Sequence, residues 1–313
     1  MDKCQNITEN GFLILAFSTY ETGQFLLFTA VLVMYLMTIL GNMVITALVC
    51  LFPQLHTPMY FFLSNLAIAD VIHVSVTLPM LLSILLTRDN RMSFSSCMAQ
   101  VSFFSLSIII DIFVLTAMSY DRYVAICRPL QYSFIMRKDV YSSMTLCSWL
   151  ISGINAAMNG FITSLLSFCR TQSVDHFFCD QKTLCDITSS DATSRYILML
   201  CQDIIFVSLP FLLIITSYVF IIVTILKIKS SRGRMKAFSS CTSHLTTVIL
   251  FFGPIIAMYA KPESKGSKEL DKMLTLLYTA VVPLLNPFVY TLKNKDILQA
   301  MRNLTRKRNR IFI

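Results

Sequence analysis

Charge is what this sequence has least of. Asp, Glu, Lys and Arg make up only 14% of its 313 residues, where a soluble domain carries about 25%. So little charge excludes a disordered chain and an ordinary soluble enzyme, and 8 glycines exclude a collagen-like one. There is no short repeat period, which removes solenoids and propellers. No stretch of about ten residues alternates polar with apolar, which argues against a membrane barrel. The histidines His56, His73, His176 and His244 show neither metal-site nor nucleophile–base spacing, so a catalytic role has little support.

What the chain has in abundance is apolar length. Hydrophobic residues make up 55% of it and the mean hydropathy is +0.67. Seven segments read as membrane spans: Phe25–Leu51, Met59–Leu86, Met98–Met118, Tyr141–Phe168, Tyr196–Ile225, Leu245–Ala260 and Met273–Leu292. Seven spans take about 140–175 residues, which leaves short loops and tails but no second domain. The sixth segment needs its polar lead-in, Lys236 to His244, to continue the helix. The expected fold is an all-α membrane protein, a seven-transmembrane helix bundle over residues 25–292, with an N-terminus of residues 1–24 and a tail of residues 293–313. Ile297, Leu298, Met301 and Leu304 share one helical face among basic residues, so a short amphipathic helix on the inner leaflet is expected after the seventh span.

Basic residues set the expected orientation. Of the 26 Lys and Arg, 16 lie in alternate loops and the tail, from Arg122 through Lys236 to Arg310. Those loops are expected in the cytoplasm, with the N-terminus outside. Asn6-Ile7-Thr8 is then a glycosylation acceptor on the correct side. The first twenty residues hold Asp2 and Glu9 and lack an apolar run before a cleavage site, so the first span is expected to direct insertion. Cys97, Cys169, Cys179 and Cys185 fall on the oxidising side, where four cysteines allow three pairings. The net charge of +9 reflects this topology and not nucleic-acid binding; lipid is the expected surroundings.

Polar groups inside spans are costly and mark function. Asp70 and Asp111 lie midway along the second and third segments, with Asn42, Asn65, Ser107 and Asn286 at similar depth. Such oxygens suit a small cation such as sodium, or form a protonated, hydrogen-bonded pair that joins helices. Asp203, in the outer half of the fifth segment, either meets a polar or basic ligand or bonds to a neighbouring helix; Arg195 is about 12 Å away along the helix, too far for an easy pair. Asp121-Arg122-Tyr123 closes the third span, where Arg122 either snorkels or exchanges partners when helices move. Pro79, Pro210, Pro254, Pro283 and Pro287 supply kinks and hinges.

Five motifs occur in order at the expected spacing. They are Pro58-Met59-Tyr60-Phe61-Phe62-Leu63-Ser64-Asn65-Leu66-Ala67 before Asp70; Met118-Ser119-Tyr120-Asp121-Arg122-Tyr123-Val124-Ala125-Ile126-Cys127; Ser217-Tyr218; Lys236-Ala237-Phe238-Ser239-Ser240-Cys241 with Ser243-His244-Leu245; and Pro283-Leu284-Leu285-Asn286-Pro287-Phe288-Val289-Tyr290. Over nearly its whole length the chain resembles a vertebrate odorant receptor of the rhodopsin-like G-protein-coupled class.

The resemblance implies a plasma-membrane receptor for small odorants that activates a heterotrimeric stimulatory olfactory G protein, without a cofactor beyond a structural sodium ion. By position it implies a Cys97–Cys179 disulfide and, more weakly, Cys169–Cys185. It implies that Asp121, Arg122, Tyr123, Tyr218 and Tyr290 form the G-protein switch. By register it places Phe104, Ser105, Ile108, Asp203, Phe206, Phe252, Ile256, Tyr259 and Thr279 around the ligand. Phe252 stands where the family usually has Tyr, Ser189 where it has Cys, and Arg195-Tyr196 where it has Asn-Glu. Three other membrane functions fit less well. A transporter would show internal repeats, a retinal pigment would need a lysine between Met273 and Leu292, and an amine receptor would carry Asp where Phe104 stands.

Overall fold

The computed structural model describes residues 11–17, 21–168, 173–188, 193–260, 267–292 and 297–300. Seven long helical segments follow one another. They are Glu21–Leu51, Pro58–Thr87, Phe94–Cys127, Lys138–Ser164, Thr193–Asp203 continuing into Leu209–Leu226, Ser231–Ala260, and Ser267–Leu276 continuing into Val282–Leu292. They are called the first to seventh spans below. Six are long and apolar enough to cross a membrane. Lys138–Ser164 is as long as a span but carries buried Ser148, Ser152, Asn155, Asn159 and Thr163 at three- and four-residue spacing, a polar stripe turned into the bundle.

Local chemistry sets the ends. Pro58 occupies the first helical position, where its missing N–H costs nothing. Ser93 Oγ accepts the Ser96 N–H and caps the third span. The third span runs to Cys127, nine residues beyond the expected Met118, because its apolar face continues through Val124. Helix interiors that carry Pro79, Pro254 and Pro287 are tolerated. The fifth and seventh spans each contain a π-bulge, at Ile204–Ser208 and Leu277–Val281. These precede Pro210 and Pro283, which remove a backbone donor just beyond.

Sidedness is inverted relative to a soluble bundle. Leu40, Ile154 and Leu212 point outward, while Asn42, Asp70, His73, Ser107 and Asp111 are buried. Lipid on the outside makes apolar side chains the natural surface, and polar groups collect where helices meet. The tail residues 297–300 are helical, with Ile297 and Ala300 buried in the main core; Met301 and Leu304 lie outside the described residues.

A small sheet covers one end of the bundle, which the sequence did not announce. Strand β1 (Phe12–Ile14) lies between β2 (Arg91–Met92), antiparallel, and β3 (Ser173–Val174), parallel. Phe12 and Ile14 are fully buried beside Cys97, Val101, Phe168 and Cys179. Strands of two or three residues are too short for alternation to register. Gly11 starts β1 at φ 66°, and a Cβ there would sit 2.3 Å from the Met92 carbonyl oxygen. Gly11→Ala therefore strains the backbone and collides with β2. The expected cost is about 1–3 kcal/mol, seen as a lowered thermal midpoint of purified receptor; an unchanged midpoint would detach β1 from the stability of this end.

Candidate functional site

At the sheet-covered end, Cys97 and Cys179, 82 positions apart in sequence, are joined by a disulfide. Gln100 reinforces the tie: its Oε1 accepts the Cys179 N–H at 2.8 Å, and its Nε2 donates to the Val76 carbonyl at 2.7 Å. The loop thus pinned drops Phe177 and Phe178 fully into the bundle. Phe178 packs at a tilt against Phe104, ring centroids 4.7 Å apart, and Phe104 lies 5.4 Å from the His73 ring. Lys272 closes this lid by donating to Asp175 (2.7 Å), Glu269 (2.9 Å) and the Ala16 carbonyl (3.0 Å). One ammonium joins the N-terminal segment, the loop and the seventh span. Burial holds the neighbouring His176 ring below its ordinary pKa, so it stays neutral under the lid.

The weaker second bridge is not formed. Cys185 is a buried free thiol whose Sγ lies 3.9 Å from Met199 Sδ. Burial pushes that thiol up, and the Arg195 guanidinium partly counters the rise. Its suggested partner Cys169 lies outside the described residues, as do Asn6 and Ser189.

The candidate ligand residues fall into several environments. Phe104 is buried under the loop, and Ile108 packs between two clusters. Ser105 accepts from Asn159 at 3.3 Å and so faces the fourth span. Asp203 is half-buried at the edge of the π-bulge, and Phe206 meets Phe113 edge-on. Phe252 packs at 4.7 Å on Phe211 and 5.1 Å from Phe251; in these surroundings a missing tyrosine hydroxyl leaves no polar group stranded. Ile256 is half-exposed, and Thr279 is buried and donates to its own helix at Thr275. The side chain of Tyr259 is not among the described ones. Two grooves of about 470 and 450 Å³ lie between the third, fourth and fifth spans and between the sixth and seventh. None of the candidate ligand residues lines them.

At mid-depth, Asn286 Nδ2 donates to both Asp70 oxygens, at 2.9 and 3.2 Å. Asp111 is buried, and its Oδ1 and the Asn286 Oδ1 have no hydrogen-bond partner. Ser107 is turned elsewhere: its hydroxyl donates to the Phe104 carbonyl at 2.9 Å, and His73 Nδ1 lies 3.2 Å from its oxygen. With the hydroxyl proton spent on Phe104, His73 Nδ1 is the donor in that pair. Orphaned carboxylate and amide oxygens are hard ligands, the donor set a sodium ion takes. Among the described residues no group of three or more His, Cys, Asp or Glu gathers to hold a metal, so such an ion would rest on Asp70, Asp111, Asn286 and water.

At the opposite end lies a lock. Asp121 is fully buried; it accepts from Arg122 Nε at 3.1 Å, from Arg122 Nη2, and from the Tyr132 hydroxyl at 2.8 Å. Burial first, and the Asp121 charge second, hold the Tyr132 phenol above its ordinary pKa, so it remains a donor. Arg122 Nη1 reaches Ser240 Oγ on the sixth span at 3.3 Å. Beneath it, His244 Nε2 lies 3.1 Å from the Leu115 carbonyl and Nδ1 lies 2.6 Å from the Tyr218 hydroxyl. A carbonyl can only accept, so Nε2 carries the proton and Tyr218 donates to Nδ1. His244 thus joins the third, fifth and sixth spans. Tyr290 is buried with its hydroxyl unpartnered, and Tyr123 packs edge-on against Phe220.

Neither His244 nor Tyr132, Ser240, His73 and Lys272 was singled out from sequence for these roles. The available signal was an ionisable or ring-polar group inside an apolar run, the same that marked Asp70 and Asp111.

Seven helices, a disulfide that pins a loop over one end and a charged lock at the other define a multi-pass membrane receptor of the rhodopsin-like class. A family model described as olfactory receptor matches residues 31–307. Mouse "Olfactory receptor 1J21" is 41% identical over 308 residues, which covers 98% of this chain and 99% of the relative. Human "Olfactory receptor 1J4" is 41% identical over 94% of each chain, and rat "Olfactory receptor 1" is 41% identical over 95% of each. The chain belongs to the olfactory receptor family, whose members are receptors and not enzymes.

Proposed function

We propose that the chain is a plasma-membrane odorant receptor that converts ligand binding near the sheet-covered end into activation of a stimulatory heterotrimeric G protein and a rise in cAMP. The N-terminal residues 1–24, with Asn6 glycosylated, lie outside. The seven-span domain is 25–292, and the tail 293–313 lies in the cytoplasm with the Asp121 lock. The ligand contacts Phe104, Ser105, Ile108, Asp203, Phe206, Phe252, Ile256, Tyr259 and Thr279.

The observation that carries this reading is the lock. Two polar links hold the sixth span to the third, Arg122 to Ser240 and His244 to the Leu115 carbonyl. The charged link is worth about 1.5–3 kcal/mol and the neutral one about 0.5–1.5 kcal/mol. Moving a two-state equilibrium from mostly closed to mostly open takes about 5.5 kcal/mol of differential ligand affinity, of which these links supply a part. A ligand opens the lock only if it binds the open packing better. Arg122, with a fixed fork of donors and a permanent charge, then leaves Asp121, and the buried Tyr290 hydroxyl offers Tyr218 a new partner. Cells that display the receptor test this by cAMP accumulation across volatile compounds: a saturable rise supports it, and responses identical to untransfected cells do not.

The mid-depth acids set a second expectation. Asp70, Asp111 and Asn286, with Ser107 at the same depth, would hold a sodium ion, whose charge would compensate the two acids in the closed packing. Asp111→Asn and Asp70→Asn should change basal cAMP and remove its dependence on sodium against a potassium or choline replacement. A double variant that still responds to sodium like the parent would leave these acids with a structural role.

A further inference from the structure

We infer that this receptor prefers a small monocarboxylate, whose ionised group is held by Arg195 where the fifth span meets the fourth. The inference rests on the receptor reading above and specifies its ligand. Arg195 is only 8% exposed, and a guanidinium cannot shed its charge when buried. Its Nη2 donates to Thr163 Oγ1 on the fourth span at 3.2 Å, but Nε and Nη1 have no hydrogen-bond partner.

Among the described residues no carboxylate lies within ion-pair distance of Arg195. The acids of the loop helix Gln181–Ile187 and its cap are engaged elsewhere: Asp186 accepts from Tyr196, and Asp180 accepts from the N–H groups of Lys182 and Thr183. A buried cation with two idle donors, the neutral Cys185 thiol beside it and no counter-charge among the described residues gains from an arriving anion.

The surroundings say which anion. One guanidinium balances one negative charge, and Lys272, the other buried cation among the described residues of this end, is already taken by Asp175 and Glu269. A phosphate would bring a second, uncompensated charge; a carboxylate closes the balance, and its planar oxygens match the fork of donors. Below Arg195, on the same face of the fifth span, Met199 and Phe206 are half-buried and apolar, suited to an alkyl tail. Gln202, two turns on, donates to Asn155 and Asn159 at 3.1 and 2.9 Å, and Asn159 donates to Ser105 at 3.3 Å. That amide row fixes the fourth and third spans against the fifth, so Arg195 is held on a rigid wall.

The test uses straight-chain acids of six to nine carbons, on the scale of drug-sized pockets and smaller, with the methyl ester, alcohol and primary amine of equal chain length. Two readouts are taken on the full-length chain: cAMP in cells at matched surface expression, and the thermal midpoint of purified receptor, which needs no G protein. The acid should be about tenfold or more stronger than its ester, the scale of a charge-assisted hydrogen bond. Arg195→Gln should erase that preference and leave ester and alcohol responses in place, with Arg195→Lys in between. The parent's acid-to-ester ratio decides the matter even if a variant fails to reach the surface. A ratio near one, a preference for the amine, or an undiminished acid preference in Arg195→Gln overturns the inference while the receptor reading stands. No shift in either readout with any of these compounds overturns the inference, while the receptor reading is decided by the wider volatile screen.

Discussion

Arg122→Ala should abolish the cAMP response while surface display and ligand binding persist. Arg122 is the only described group that touches both Asp121 and the sixth span, through Nε and Nη2 on one side and Nη1 on the other. Its removal leaves the Tyr132 hydroxyl on Asp121 Oδ1 at 2.8 Å but takes the counter-charge from a buried carboxylate, so responses are compared only at matched surface display. What disappears is the charged group that the open state needs, and the maximal response should fall about tenfold or more. Asp121→Asn gives the opposite sign: with its counter-charge weakened, Arg122 leaves more readily and basal cAMP rises. Radioligand or thermal-shift binding at matched expression separates loss of signalling from loss of fold. A full response from Arg122→Ala would remove this residue from the switch.

Cys97→Ser should remove most receptor from the cell surface. The disulfide spans 82 residues, a long loop whose closure constrains the unfolded chain by on the order of 4 kcal/mol. Domains are stable by only about 5–15 kcal/mol. The substitution also leaves a hydroxyl and a free Cys179 thiol in a fully buried site, and it releases the loop that carries Phe177 and Phe178 into the bundle. Cys185→Ser is the control. That thiol is free, so the change should leave surface display within about twofold, since it removes no covalent tie. Flow cytometry of tagged receptor reads both. Equal display of Cys97→Ser and parent would deny the bridge a structural role.

The bundle was legible because lipid imposes a crude code. Apolar runs of about 20 residues must be helices, and every expected span corresponds to a helix. Boundaries slipped where helices outlast their apolar stretch. The sixth starts at Ser231, five residues before the expected lead-in at Lys236, because the basic stretch stays helical once outside hydrocarbon. Asp70, Asp111 and Arg122 stood out as charges in apolar runs. The lid did not. Its strands are too short to alternate, and Lys272 looked like any loop cation until Ala16, Asp175 and Glu269 were seen around it. His244 was quoted for its motif and not its chemistry, because three partners from three spans meet there only in the folded chain. Arg195 departs from the family pattern, and that it has no counter-charge among the described residues is a fact of packing that no spacing encodes.

The most direct measurement is cAMP accumulation in cells that display the receptor, with the stimulatory G protein present or genetically removed, for parent and Arg122→Ala under the same volatile. The expected result is a saturable rise in the parent that vanishes on removal of the G protein and is absent from the variant. A ligand-dependent signal that persists without the G protein, or in Arg122→Ala at equal surface display, would contradict a switch built on the Asp121–Arg122 lock.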